Sequence, residues 1–318
     1  MKTVVLIPCT DRKRIRPAEQ LWARNLAAGS LEDVSAEWGR RISNADERVT
    51  PDQLYCGRAY REGRLAADMI GAELAVISAG HGIVREGHEI APYGLTVAPG
   101  KPDSVQSKVN EEWSSAKWWQ ALGERSTASV NLNQHLRQAS ADLVLISLSE
   151  NYAKLLSQEL VALDEQLIGS IRIFGAGLAR HLPPNVRPCF MPYDVRLNGY
   201  ESPIRGTMSD FPTRALHHFA MGLSEGALSG KSCAQDQSKV EDILNTWSAP
   251  EIPVRKKLSD QEVISFILRN WEKTDGRSGA SLRLLRDSGN ACEQSRFKDL
   301  FRLAAANRIE AVVGLDDG

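Results

Sequence analysis

The sequence lacks paired cysteine spacing. Its five cysteines (Cys9, Cys56, Cys189, Cys233 and Cys292) are scattered and odd in number, which argues against a disulfide framework and against a structural zinc site. Long apolar runs are also missing, and the first residues carry no charged-then-apolar leader pattern, so a cytoplasmic protein without membrane contact is expected. Neither charge dominates: 39 Lys and Arg against 40 Asp and Glu leave a net −1. Any surface for a polyanion must therefore be a local patch. HExxH, Walker-type, GxSxG and paired-cysteine metal motifs do not occur, and no metal or redox cofactor is expected.

What is present suits a soluble globular chain. Its 318 residues are 42% hydrophobic and 25% charged, enough for one large domain and a smaller one. Four short apolar runs read as buried strands: Thr3 to Ile7, Leu74 to Ile77, Leu143 to Ile146 and Ile171 to Phe174. Helix-like segments separate them, such as Gly57 to Ile70 and Tyr152 to Ala162. The alternation predicts an α/β fold with a mostly parallel sheet flanked by helices, its strands buried on both faces. Trp113, Trp118 and Trp119 recur at helical spacing and are expected to pack in the core.

Residues 1–222 are expected to form this α/β domain. A Ser-, Gly- and Gln-rich stretch, 223–254, reads as a linker with a short helix near Lys239 to Trp247. Residues 255–318 read as a small helical domain. Ser259 and Glu262 make a capping box ahead of Val263 to Trp271; Gly279 to Arg286 and Cys292 to Phe301 read as two further helices around an Asp287 to Asn290 turn. Helix, Gly-containing turn, helix is the outline of a helix-turn-helix or of a plain three-helix packing module. From Arg277 to Arg308, six arginines and one lysine face Asp287, Glu293 and Asp299. Arg283, Arg286, Gln294, Arg296 and Lys298 are the candidate DNA contacts there.

Ligand chemistry in open α/β sheets gathers past the C-terminal ends of the strands. After the first strand come Pro8-Cys9-Thr10-Asp11-Arg12-Lys13-Arg14. The three cations suit phosphate, and the carboxylate suits a group that becomes positive during reaction. After the second come Ser78-Ala79-Gly80-His81-Gly82, where glycines permit close backbone approach and the imidazole can donate. Tyr93 follows. The third exit is Ser147-Leu148-Ser149-Glu150-Asn151-Tyr152, whose polar groups suit a base edge or sugar, with capping of the next helix the favoured role for one serine. The fourth is Gly175-Ala176-Gly177, too weak a pattern for a dinucleotide site. Asp194 supplies another carboxylate in a loop. Cys9 reads either as a nucleophile or as a small packing residue.

The motifs Pro8-Cys9-Thr10 with its cations, Leu54-Tyr55-Cys56-Gly57-Arg58-Ala59-Tyr60, Ser78 to Ile83 and Ile90-Ala91-Pro92-Tyr93 together resemble a bacterial uracil-DNA-glycosylase-like group. YaaA and domains attached to tRNA-guanine transglycosylases are among its relatives. The resemblance covers roughly residues 3–200. It lacks the Gly-x-Asp-Pro-Tyr and His-Pro-Ser motifs of ordinary uracil-DNA glycosylases, so a base other than uracil is implied. The resemblance implies a DNA glycosylase that excises a modified, phage-borne base from double-stranded DNA as antiviral defence. Flipping the nucleotide into a pocket and breaking its bond through a cationic sugar needs a carboxylate, a donor to the departing base and cations on the phosphates. By residue type Asp11, His81 and Glu150 are the catalytic candidates, with Asp194 in reserve. Cys9, Thr10, Gly80, Gly82, Tyr93, Ser149, Asn151, Tyr152, Gly175 and Asp194 would line the pocket. Arg12, Lys13, Arg14 and Arg58 would hold the backbone. A non-catalytic modified-DNA-binding protein, an enzyme of free nucleosides or nucleotides that transfers deoxyribose, and a ligand-sensing regulator fit the same residues.

Overall fold

A computed structural model describes residues 1–125, 131–251 and 255–316. The four apolar runs are strands: β1 (Thr3–Pro8), β2 (Glu73–Ser78), β4 (Leu143–Ser147) and β5 (Ile171–Phe174). A fifth strand, β3 (Gly82–Arg85), hairpins back onto β2. The order is β3-β2-β1-β4-β5, with every pair parallel except the antiparallel β2–β3 edge. From β1 the chain crosses to β2 on one side and later returns to β4 on the other. That reversal of strand order opens a crevice at the C-terminal ends of β1 and β4.

Helices Arg58–Ile70 and Phe211–Ser224 pack together against the central strands. Gly63 allows the approach, since a Cβ there would lie 2.7 Å from Ile7. Elsewhere, helices Leu31–Ser43 and Ser115–Arg125 pair with each other. Each hangs a buried tryptophan on the β2–β3 turn: Trp38 Nε1 donates to Gly80 O and Trp118 Nε1 to Ala79 O, both at 2.9 Å. Trp119 is buried as well, and Trp113, just ahead of the helix, packs partly buried against the same core. These tryptophans pack and anchor a turn.

The linker assigned to 223–254 is corrected. Helix Cys233–Leu244 belongs to the first unit, which runs Met1–Pro250. Val240 and Leu244 are fully buried in its core. Asp236 accepts from Arg172 of β5 at 2.8 Å, both side chains out of solvent. Polar composition suggested a solvated tether, but the polar residues face out while Asp236 pairs inward. The α/β unit therefore extends past 222. Ile252, Pro253 and Val254 of the proposed linker lie outside the described residues.

The second unit has its own core of Val263, Ile267, Leu285, Phe297 and Ala304. Its helices are Asp260–Arg269, Ser278–Asp287 and Gln294–Asp316. The Ser259–Glu262 capping box forms as the sequence indicates. A two-residue parallel pairing, Lys256–Lys257 with Asn290–Ala291, closes the unit. Cys292 precedes the last helix instead of opening it, because the Glu293 side chain caps that helix, accepting from Ser295 N and Arg296 N at 3.0 Å each. Among the described residues, no helix is long and apolar enough to cross a membrane.

Candidate functional site

Cys9 continues the ladder past the end of β1, donating its N–H to Ile77 O at 2.9 Å. The chain then runs antiparallel to segment 54–56: Arg14 N donates to Leu54 O at 2.9 Å and Cys56 N to Arg12 O at 3.2 Å. Gly57 must be small, since a Cβ there would sit 2.9 Å from Thr10 Oγ1. The Leu54-to-Tyr60 motif thus clamps the Pro8-to-Arg14 segment against the sheet. This is a tertiary pairing that two separate sequence motifs encode.

Under that segment lies a floor of phenols. Tyr93 OH accepts from Ser78 Oγ at 2.8 Å and stands 3.0 Å from Tyr55 OH. Ser78 Oγ in turn accepts from His81 N at 3.1 Å, which fastens the β2–β3 turn to the phenol pair. Cys9 Sγ and Tyr152 OH share a hydrogen bond of 2.8 Å, so the exits of β1 and β4 meet at the crevice. Burial holds the pKa of Tyr55, Tyr93 and Tyr152 well above the phenol value, so all three are neutral hydrogen-bonding groups near pH 7. Proximity to Asp11 adds to the rise at Tyr152.

Above the floor opens a cleft of about 480 Å³. Asp11, Lys13, Arg14, Arg16, Arg24 and Lys101 line it, with Tyr93 at its base. Lys13 Nζ stands 4.3 Å over the Tyr93 ring and donates to Thr10 O at 3.3 Å. Arg24 lies 4.4 Å over the Trp22 ring and grips Asp103 through Nε at 2.7 Å and again through Nη2. Asp11 is exposed and enters no ion pair among the described residues. One unpaired carboxylate among cations, with Arg24 already paired to Asp103, has the chemistry to accept an anionic ligand that also carries a developing positive charge.

The donor role expected for His81 is corrected. Burial, with help from Arg48 and Lys13, holds its pKa down to about 4. The neutral ring places Nε2 3.0 Å from Ala91 O. A carbonyl can only accept, so Nε2 carries the proton and Nδ1 has none to give. His81 stands edge-on to Tyr93, centroids 4.8 Å apart, as a support.

Glu150 is corrected as well. It is an exposed surface carboxylate 2.7 Å from Lys154 and 3.5 Å from His181. The Lys154 hydrogen bond, followed by electrostatic contributions from His181, Lys154 and Arg180, holds its pKa below the usual range. Asn151 lines a separate groove of about 410 Å³ with Lys154, His181 and Trp113. Ser149 holds the N-cap position but its side chain makes no capping bond, while Ser147 Oγ is buried 3.3 Å from Thr213 Oγ1. Asp194 accepts from the Arg196 backbone at 2.9 Å and pairs with that side chain, capping a short turn. Gly175 has no room for a side chain because a Cβ would meet Leu148 O at 2.7 Å. Gly80 serves through its carbonyl on Trp38, and Gly82 takes φ +81 at the start of β3.

Among the proposed DNA contacts, Arg12 is exposed beside the cleft, and Lys13 and Arg14 line it. Arg58 is spent within the fold: it pairs with Glu62 at 3.2 Å and Asp210 at 3.3 Å and reaches Arg205 O. In the second unit Arg283, Gln294 and Lys298 are exposed. Arg296 instead braces its own unit through Asp260 and Leu258 O, and Arg286 donates to Cys292 O at 3.2 Å. Sequence inspection missed Arg16, Arg24, Lys101 and Tyr55. Only Tyr55 carried a signal, its place in the Leu54-to-Tyr60 motif. No group of three or more His, Cys, Asp or Glu able to hold a metal occurs among the described residues. In comparisons with known proteins, no family model, curated protein or solved structure matches the chain.

Proposed function

We propose that the protein is a DNA glycosylase that excises a modified nucleobase, phage DNA being its target, and leaves an abasic site. The observation that carries the proposal is the unpaired Asp11 carboxylate, just past the end of β1, in a cleft also lined by Lys13, Arg14, Arg16, Arg24 and Lys101. Breaking an N-glycosidic bond builds positive charge on the sugar and negative charge on the base. Asp11 stabilises the first or orients the attacking water. The Lys13 ammonium, above the phenol floor, takes the donor role that His81 cannot fill. Arg14 and Lys101 hold phosphates on either side of the flipped nucleotide, since Arg24 is paired with Asp103 and Arg16 with Glu19 at 3.1 Å. The likeness of four motifs to uracil-DNA-glycosylase-like proteins points the same way.

A second reading, an enzyme that cleaves or transfers deoxyribose on free nucleotides, draws on the engagement of Arg286 and Arg296 within their own unit. One experiment separates the two. The purified chain is incubated with phage DNA carrying modified bases and, in parallel, with the matching nucleotides. Released base is measured by mass spectrometry and abasic sites by alkaline cleavage. Release from DNA, lost in Asp11→Asn, is the expected result. Release from nucleotides alone establishes the second reading, and no release from either overturns both.

A further inference from the structure

Away from the cleft, two cysteines are brought together by elements that the sequence places far apart. Cys233 is the first residue of helix Cys233–Leu244, just after the N-cap Ser232, and is partly exposed. Cys189 ends the short turn Arg187–Cys189 and is buried. The two backbones are clamped to each other. Gln237 Nε2 donates to Pro188 O at 2.7 Å and to Phe190 O at 2.9 Å, the carbonyls on either side of Cys189. Cys233 Sγ donates to Pro188 O at 3.2 Å. One turn along the helix, Asp236 is fastened to Arg172. Cys189 Sγ donates to Ile168 O at 3.3 Å, and each thiol shifts the ionisation of the other.

The pair is asymmetric. The Cys189 hydrogen bond, with help from the Arg172 guanidinium, brings Cys233 down to about 7, against burial and Asp236. Its place in the first turn of a 12-residue helix favours the thiolate further. Cys189, which donates to Ile168 O, is pushed up by its interaction with Cys233 and by burial. A partly exposed thiol in the first turn of a helix with a buried thiol on the adjoining turn is the arrangement of an attacking and a resolving cysteine.

We propose that Cys233 and Cys189 form a reversible redox dithiol that reacts with low-molecular-weight disulfides. The Cys233 thiolate attacks one sulfur of the small disulfide; a protein–small-molecule S–S bond forms, the original S–S bond breaks, and one small thiolate leaves. Cys189 then gives up its proton and attacks Cys233 Sγ. The internal S–S bond forms and the second small thiol leaves. Two protein thiols are oxidised and one small disulfide is reduced to two thiols. The cross-link joins the turn after β5 to the helix carrying Asp236, so it tightens the far side of the α/β unit without touching Asp11 or Lys13.

The full chain is equilibrated in glutathione buffers of rising oxidised fraction, quenched in acid, alkylated and mapped by peptide mass spectrometry. The expected result is a Cys189–Cys233 linked peptide, joint loss of two of the five thiols, recovery in dithiothreitol, and a rise of several degrees in the melting temperature of the oxidised form. Cys189→Ser should accumulate the Cys233–glutathione mixed disulfide, and Cys233→Ser should leave Cys189 alkylatable after unfolding. The proposal is overturned if both thiols stay alkylatable in oxidised glutathione. It is equally overturned if the wild type stops at the mixed disulfide, or if Cys189 links to Cys9, Cys56 or Cys292 instead.

Discussion

The thiol of Cys9 and the phenol of Tyr152, 143 positions apart in the chain, share a 2.8 Å hydrogen bond. Cys9 leaves β1 and Tyr152 follows β4, so the bond spans the crevice where the strand order reverses. It also ties the base of the Asp11 segment to the neighbouring strand.

This contact sets an expectation for Cys9. A serine keeps the bond to Tyr152, so Cys9→Ser should retain base release within several-fold of wild type. Tyr152→Phe removes the bond and should cost about 1 kcal/mol of stability. Chemical denaturation and base-release assays measure both. Complete loss of activity in soluble, folded Cys9→Ser would make the thiol a nucleophile and sink the packing role.

The carboxylates should separate cleanly. Asp11→Asn keeps size and removes charge from the cleft, and base release should fall by roughly 10²- to 10³-fold, the scale for losing one electrostatic stabiliser. Glu150→Gln alters an exposed ion pair and Asp194→Asn an ion pair and a turn cap away from the cleft, and turnover should stay within about twofold. Equal losses in all three would show that Asp11 has no special place.

The domain boundary can be tested by truncation. A fragment ending at Pro250 keeps Asp236 opposite Arg172 and should be soluble and cooperative on melting. One ending at Gly222 strands a buried guanidinium and should be insoluble. In the full chain, Asp236→Ala should cost about 3–5 kcal/mol, the scale for breaking a buried ion pair. A soluble, cooperative 1–222 fragment would restore the linker assignment.

Acid should weaken the fold before carboxylates protonate. His81, His135 and His218 are each held by burial at about 4, below the ordinary 6.5. Between those values the unfolded chain binds protons that the folded chain refuses. Stability is therefore full above about pH 6.5 and falls as pH drops towards 4, by up to about 1.4 kcal/mol per pH unit for each histidine. Melting temperatures from pH 7.5 to 4.5 should decline accordingly, with a shallower slope in His135→Gln. A flat profile down to pH 5 would contradict the buried neutral assignments.

Much of the scaffold was legible because it rests on local pattern. Four apolar runs became four strands, and Ser259 with Glu262 capped a helix. Strand β3 was not legible, since its four residues only pair once Ser78 and the two tryptophans fix the turn before it. The site divided in the same way. Asp11, Lys13 and Arg14 were visible as a charged strand exit, while Arg24 and Lys101 reach the cleft from segments with no motif of their own. His81 and Glu150 were misjudged for opposite reasons. One has its only proton committed to Ala91 O, and the other finds Lys154 one helical turn away in solvent.

By itself, then, the sequence determined the layered α/β plan, the charged exit of the first strand and the capped helix of the second unit. Hydrophobic period, caps and turn residues act over a few positions, and those can be read in order along the chain. Tertiary structure alone decided which carboxylate stands unpaired, which histidine is neutral, and that a polar-looking stretch belongs to the core through Asp236 and Arg172. Charge, protonation and burial depend on what lies within a few ångströms, and in this fold those neighbours come from distant segments.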